Sequence, residues 1–300
     1  MLNRIRWARH EETIAGWICA LPWILGFLIF TAGPMVISLY ISFHEYNVLQ
    51  PPLYIGFENY IRMFDGGPES ELFWKSLYNT VYMTVIGVPL TLLVALLSAL
   101  LLNVPVKGQA LFRTCFYVPS IVPLVANSLL WMWLLNSRYG ILNMVLGFFG
   151  IKGPAWLASP VWSKPAMILM SAWQCGSPML IFLAGLQGIP NSLYEAARVD
   201  GASGLKQFTH ITLPLLTPTI FFNLIMGIIN TMQIFVRGYI MTNGGPADST
   251  LFYVLNLYFN AFRYFRMGYA SALAWILFII VLVVTLIQVR FSERWVHYEL

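Results

Sequence analysis

The chain has 300 residues, of which 59% are apolar and 10% charged, and 17 Lys and Arg against 12 Asp and Glu leave a formal net charge of +5. Soluble domains carry about a quarter charged residues, so this composition excludes an ordinary globular enzyme and places the chain in a lipid bilayer. The small positive balance suits a protein facing anionic lipid, and no basic patch points to nucleic acid.

The amino end, MLNRIRWARH, has the basic start of a signal peptide. The apolar run after it continues from Ile14 to Ile41 without a small-residue cleavage pattern, which reads as a retained first span. About 20 apolar residues cross the roughly 30 Å of bilayer hydrocarbon. Six stretches meet that length: Ile14–Ile41, Leu77–Leu102, Thr114–Leu135, Pro165–Gly188, Leu213–Val236 and Tyr269–Val289. The expected fold is therefore an all-α integral membrane protein of six spans. Residues 1–13 form a cytoplasmic amino-terminal segment, 14–289 the membrane domain and 290–300 a cytoplasmic tail.

Arg4, Arg6 and Arg9 argue for a cytoplasmic start, and six crossings return the carboxyl end to the same side. None of the six stretches contains Asp, Glu, Lys, Arg or His. Proton-driven carriers keep ionisable groups in their spans, so the energy for any transport comes from elsewhere. Cys19, Cys115 and Cys175 stand singly, without the spacing of a zinc site or disulfide framework. The outer loops, Ser42–Ser76, Asn136–Lys164 and Arg237–Gly268, are too short to fold as domains. They carry turn signals at Pro51–Pro52, Asp65–Pro68 and Asn243–Pro246. Aromatics at the span ends, among them Trp131, Trp133, Trp156, Trp162 and Tyr239, read as an interfacial belt. No internal repeat supports the inverted-repeat plan of many secondary carriers.

Between the fourth and fifth spans lies a polar interruption, YEAARVDGASGLKQFTHITLPLLTP, from Tyr194 to Pro218. Ser192 and Glu195 fit a capping box, Ala196, Ala197 and Arg198 favour helix, and Gly201 is placed to end it in a left-handed turn. A helix of about two turns is marginal in water unless it docks on something. Pro214 suits the first turn of the fifth span.

Polar side chains inside the spans mark a candidate translocation path. Asn223, Asn230, Gln233 and Arg237 recur at helical spacing, Gln174 and Ser177 flank Pro178, and Asn127 and Ser128 lie in the third span. Amides donate and accept, which suits an uncharged polyhydroxyl substrate, and they equally serve hydrogen bonds between neighbouring helices. The residues assigned to the path are Gln174, Asn230, Gln233 and Asn127. Arg237 is expected at the outer edge, snorkelling to the interface, and Trp173 and Phe235 are read chiefly as packing.

The run EAA, DGA, Phe, Ile and LP resembles the signature loop of binding-protein-dependent ABC importer permeases. Glu195, Ala196, Ala197, Asp200, Gly201, Ala202, Phe208, Ile211, Leu213, Pro214 and Pro218 all match it. The likeness extends from about Leu21 to Arg290 and is to the carbohydrate branch, through LPWILGFLIF, ISFHEYN, GFENY, FYVPSIVPL, WMWLLNSRYGILN, AWLASP, LAGLQGIP, TNGGPADST and GYASALAWIL. The larger maltose-type subunit, with extra spans and a large outer domain, is not matched. The resemblance implies that Tyr194–Gly204, within the EAA loop 189–212, forms a coupling helix seated in a groove of a cytoplasmic ATPase. Tyr194, Glu195, Ala196, Ala197, Asp200, Gly201 and Ala202 would make that contact, with Glu195 pairing with a basic residue. It also implies a second homologous permease, an ABC ATPase dimer, an extracytoplasmic solute-binding protein, a sugar-like substrate and residence in a bacterial or archaeal inner membrane.

No GxxxxGK[ST] phosphate-binding sequence occurs, so ATP and magnesium are expected in a separate ATPase, with no cofactor, metal or catalytic residue in this chain. Two rival readings are an ATP-independent facilitator or pore, which leaves the EAA helix without a purpose, and a permease for a substrate other than sugar. A third, an intramembrane serine protease, is suggested by Gly201–Gly204 but needs a histidine facing Ser203 within the membrane. His10, His44, His210 and His297 all lie outside the spans.

Overall fold

The structure, a computed structural model, describes residues 2–104 and 107–296, with side chains described from Ile14 onward. Expectations resting on Arg4, Arg6, Arg9, His10 and His297 lie outside the described side chains. The chain divides into two units, one running to Asp65 and including Leu257–Trp275, the other comprising Gly66–Asn256 and the segment from Ile276.

In the first unit, α1 (Leu2–Phe27) continues through a π turn into α2 (Gly33–Ser42). Within the apolar stretch Ile14–Ser42 most of the large side chains, Trp23 and Phe30 among them, are exposed, as lipid-facing groups are. A two-residue ribbon follows, β1 (His44–Glu45) pairing antiparallel with β2 (Leu53–Tyr54) so that His44 faces Tyr54. Asn59 fastens it: the buried amide donates to the carbonyls of Ser42 and His44, both at 2.9 Å. Gly268 passes so close to this turn that a Cβ there would lie 1.9 Å from the His44 carbonyl oxygen.

The second unit begins with α3 (Pro68–Tyr82), which runs through a π turn into α4 (Val88–Asn103). Then come α5 (Gln109–Ile121) with α6 (Leu124–Leu134), and α7 (Ser163–Trp173) with α8 (Gly176–Gly188). A short polar helix α9 (Asn191–Val199) leads to α10 (Gly204–Leu215) and α11 (Thr217–Met232). The last helix, α12 (Met267–Ser292), belongs to the first unit as far as Trp275 and to the second from Ile276.

Three of the expected spans are broken by proline. The α5–α6 pair bends by 98°, α7–α8 by 44° and α10–α11 by 60°, so among the described residues three continuous helical segments and three bent pairs are long and apolar enough to cross a bilayer. Proline lacks the N–H that continues the helical ladder and drives the residue before it towards extended backbone. Val122, before Pro123, is extended accordingly with ψ 127°. Pro178 cannot donate to the carbonyl of Gln174, where α7 ends. Pro218 leaves the carbonyl of Pro214 to the Thr217 hydroxyl, at 2.6 Å. The expected restart at Pro214 is thus displaced: helix runs through Pro214, and the break falls immediately before Thr217.

The most extensive helix contact joins α4 and α8. Ala95 and Ala99, one turn apart, let α8 approach closely, and Met179, Phe182, Leu183 and Leu186 fill the space with Leu216. A second buried cluster is polar. Asn79 donates to the carbonyls of Asp248 (2.8 Å) and Leu251 (3.1 Å) and accepts from Lys164 (2.8 Å). The Lys164 ammonium also sits over the rings of Tyr78 and Tyr82, so the loop carrying Asn243–Thr250 is held by satisfied polar groups.

Candidate translocation cavity and polar helix

Helix α9 begins earlier than the capping box requires. Pro190 is its N-cap and no side chain caps the start, so Ser192 lies inside the first turn and the expected Ser192–Glu195 capping box does not form. The fixed φ of Pro190 supplies the start that the expected Ser192–Glu195 pair does not.

The other end follows the sequence reading. Gly201 takes φ +74°, a left-handed conformation, while its N–H bonds to the Arg198 carbonyl (3.1 Å) and that of Ala202 to the Ala197 carbonyl (2.8 Å). These two bonds make a Schellman stop, which satisfies the last carbonyls of a short helix.

Two further bonds fix α9 to its neighbours. The Tyr194 hydroxyl lies 2.9 Å from that of Thr212, on α10. The Gln207 amide donates to the Ala202 carbonyl at 3.0 Å. Most of α9 remains open to solvent, Glu195 and Asp200 included, and Glu195 has no ion-pair partner among the described residues. Beside these polar groups Val199 is 89% exposed and Leu205 75% exposed. The exposure of these two apolar groups is not indicated by the EAA match, because neither belongs to it. His210 bonds to Thr209 (2.8 Å) and the Lys206 carbonyl (3.2 Å), not to Ser203, so no serine–histidine pair forms.

Between α4, α8 and α11 lies a cavity of 470 Å³. Gln174 and Asn230 line it, together with Thr91, Ser177, Asn223 and Arg237. Gln233 lines an adjoining space of 350 Å³, which Asn230 and Arg237 share. Asn127 lines neither space. It is fully buried, and neither atom of its amide has a hydrogen-bond partner among the described residues. Asn223 serves helix packing as well, with its amide 3.5 Å from the Pro178 carbonyl. Trp173 meets Trp131 edge-on and Phe235 stacks on Tyr239, as expected for packing.

Arg237 overturns its expected place. The fifth span does not continue as one helix to Val236: α11 stops at Met232 and the chain turns through Gln233, Ile234 and Phe235 before becoming helical again at Val236. That turn carries Arg237 inward, where its guanidinium donates to the Ser171 hydroxyl and to Gln174 Oε1 (2.7 Å), at the break between α7 and α8.

Residues 74–297 match the family described as the binding-protein-dependent transport system inner membrane component. The probable ABC transporter permease protein YesP of Bacillus subtilis (strain 168) is 46% identical over 97% of this chain and 94% of its own length. The sulfoquinovosyl glycerol transport system permease protein SmoG of Agrobacterium fabrum is 37% identical over 95% of this chain and 92% of its own. Among solved structures, a bacterial ABC transporter involved in the import of the acidic polysaccharide alginate superposes with a TM-score of 0.82 at 27% identity, covering 96% of this chain and 98% of that one. The chain belongs to the family of binding-protein-dependent transport system inner membrane components, and it is a multi-pass permease subunit of an ABC importer.

Proposed function

We propose that this permease forms half of a saccharide path and pairs with a second, homologous permease. Alternating access is driven through α9 by a separate ATPase that binds ATP and magnesium. The observation that carries this reading is the continuity from α9 to the cavity. Tyr194 is bonded to Thr212 on α10, and α10 leads directly into α11, which brings Asn223 and Asn230 to the cavity wall. From the other side, α9 follows α8, which contributes Ser177 and Pro178 to the same wall.

Closure of an ATPase dimer would draw together the two seated helices, one from each permease, and turn the attached spans from inward-open to outward-open. Hydrolysis would reset them. Helix α9 then lies on the cytoplasmic side, as do both ends of the chain, and substrate arrives from an extracytoplasmic binding protein. Glu195, exposed and without an ion-pair partner among the described residues, is the charge offered to the ATPase. The saccharide class is supported by the neutral donor and acceptor groups of the cavity and by relatives that handle sulfoquinovosyl glycerol and alginate.

The test is uptake by the assembled complex in proteoliposomes with loaded binding protein outside and ATP inside. Uptake that requires both is expected. Uptake without ATP would make the chain a facilitator and end the coupling account.

A further inference from the structure

The surroundings of Arg237 carry an inference about the cargo, one that rests on the importer reading. Its guanidinium is the one ionised group among the described lining residues of the 470 Å³ cavity. Both of its partners, Ser171 and Gln174, are neutral, and the described residues place no carboxylate within ion-pair distance of it. The two bonds occupy only part of a five-donor fork.

Taking a cation out of water costs several kcal/mol unless an opposite charge answers it, and a charge kept within a membrane domain marks the path of something transported. Holding Ser171 and Gln174 in place requires no charge, since an amide would bond both. Thr91, Ser177, Asn223 and Asn230, which share the wall, are equipped for hydroxyls. The guanidinium fork matches a carboxylate with two parallel bonds.

We propose that the transported saccharide bears an anionic group, a carboxylate in the first instance, which pairs with Arg237 while Gln174 and Asn230 bond the sugar hydroxyls. The charge is then answered during passage, and a neutral sugar of the same size leaves it unanswered. Arg237 becomes the specificity determinant of the cavity.

The test uses the complete permease pair with its ATPase dimer in lipid nanodiscs, without binding protein, so that only the membrane cavity selects. Binding of trigalacturonate, its neutral methyl ester and a sulfonated methyl glycoside is measured by calorimetry. Trigalacturonate is expected to bind about tenfold or more tightly than the ester, the factor typical of a charge-assisted bond. Arg237→Gln should abolish the difference, and Arg237→Lys, which keeps the charge but not the two-bond fork, should retain only part of it. Binding of the sulfonated glycoside in place of trigalacturonate, with the same dependence on Arg237, upholds anion pairing and exchanges the carboxylate for a sulfonate.

Equal binding of acid and ester, binding of none of the three, or a preference that survives Arg237→Gln overturns the proposal. If Arg237→Gln does not assemble, the comparison of acid with ester in the parent complex decides alone. Equal binding in a complex that still imports with ATP refutes anion pairing and leaves the importer reading intact. Failure of the ATPase to assemble with the chain refutes the reading itself.

Discussion

The hydroxyls of Tyr194 and Thr212, separated by 18 positions in sequence, lie 2.9 Å apart and join α9 to α10. Thr212 is buried while Glu195, the neighbour of Tyr194, is exposed, so one short helix presents a bonded face to its own chain and an open face outward. Such a helix transmits displacement only as well as its bonded face holds.

Tyr194→Phe removes that bond and little else. A side-chain hydrogen bond contributes roughly 0.5–1.5 kcal/mol, so the variant should fold and bind ATPase nearly as the parent does. The expected change is in coupling: less saccharide imported per ATP hydrolysed, measured as the ratio of uptake to phosphate release in proteoliposomes. An unchanged ratio means that the lever does not run through Thr212.

Gly201→Ala tests the stop of α9. No atom lies within 4 Å of a Cβ built there, so the penalty is conformational alone, about 1–2 kcal/mol for a left-handed alanine. Weaker retention of the ATPase on copurification is expected, with Gly201→Asn milder because asparagine tolerates that region. Equal losses for both would point to a contact rather than to backbone geometry.

Glu195→Gln keeps the size of the side chain and removes its charge. Since no side chain caps the start of α9, helix stability should stay within about 0.5 kcal/mol, the usual range for surface substitutions. A fall in ATPase stimulation by loaded binding protein then reports a lost ion pair with the partner. Full stimulation removes Glu195 from the coupling contact.

Asn79→Leu addresses the polar cluster. It strands the carbonyls of Asp248 and Leu251 and takes an acceptor from Lys164, at about 1–3 kcal/mol for buried groups left unpaired. A clearly lower melting temperature in detergent is expected, and an unchanged one would show that the loop is held by other contacts. Gly268→Ala, whose Cβ overlaps the His44 carbonyl oxygen, should lower it as well, since overpacking costs typically 1–3 kcal/mol.

Much of this was legible before any coordinates. The apolar runs located the membrane helices, and the EAA and DGA residues located α9 and its glycine stop, because hydrophobic length and a left-handed glycine are local properties. The start of α9 was misread since Ser192 and Glu195 satisfy the spacing of a capping box while Pro190, two residues earlier, already fixes the entry. The bends at Pro123, Pro178 and Pro218 were hidden because a proline in an apolar run is compatible with a kink, a break or a first turn, and tertiary packing chooses among them. Arg237 was lost for the same reason: its inward position depends on α11 ending at Met232. A signal was present all the same, in a lone arginine within reach of Asn223, Asn230 and Gln233 on one helical pattern.

The seating of α9 on a nucleotide-driven partner is tested most directly by crosslinking from Val199→Cys, at a position 89% exposed in the isolated chain. In the purified importer, with other accessible cysteines replaced, a bifunctional thiol reagent should join it to the ATPase in high yield, with a yield that changes when ATP is added. Free reaction of that cysteine with a water-soluble maleimide from the outer face, or no ATPase adduct in any nucleotide state, would contradict it.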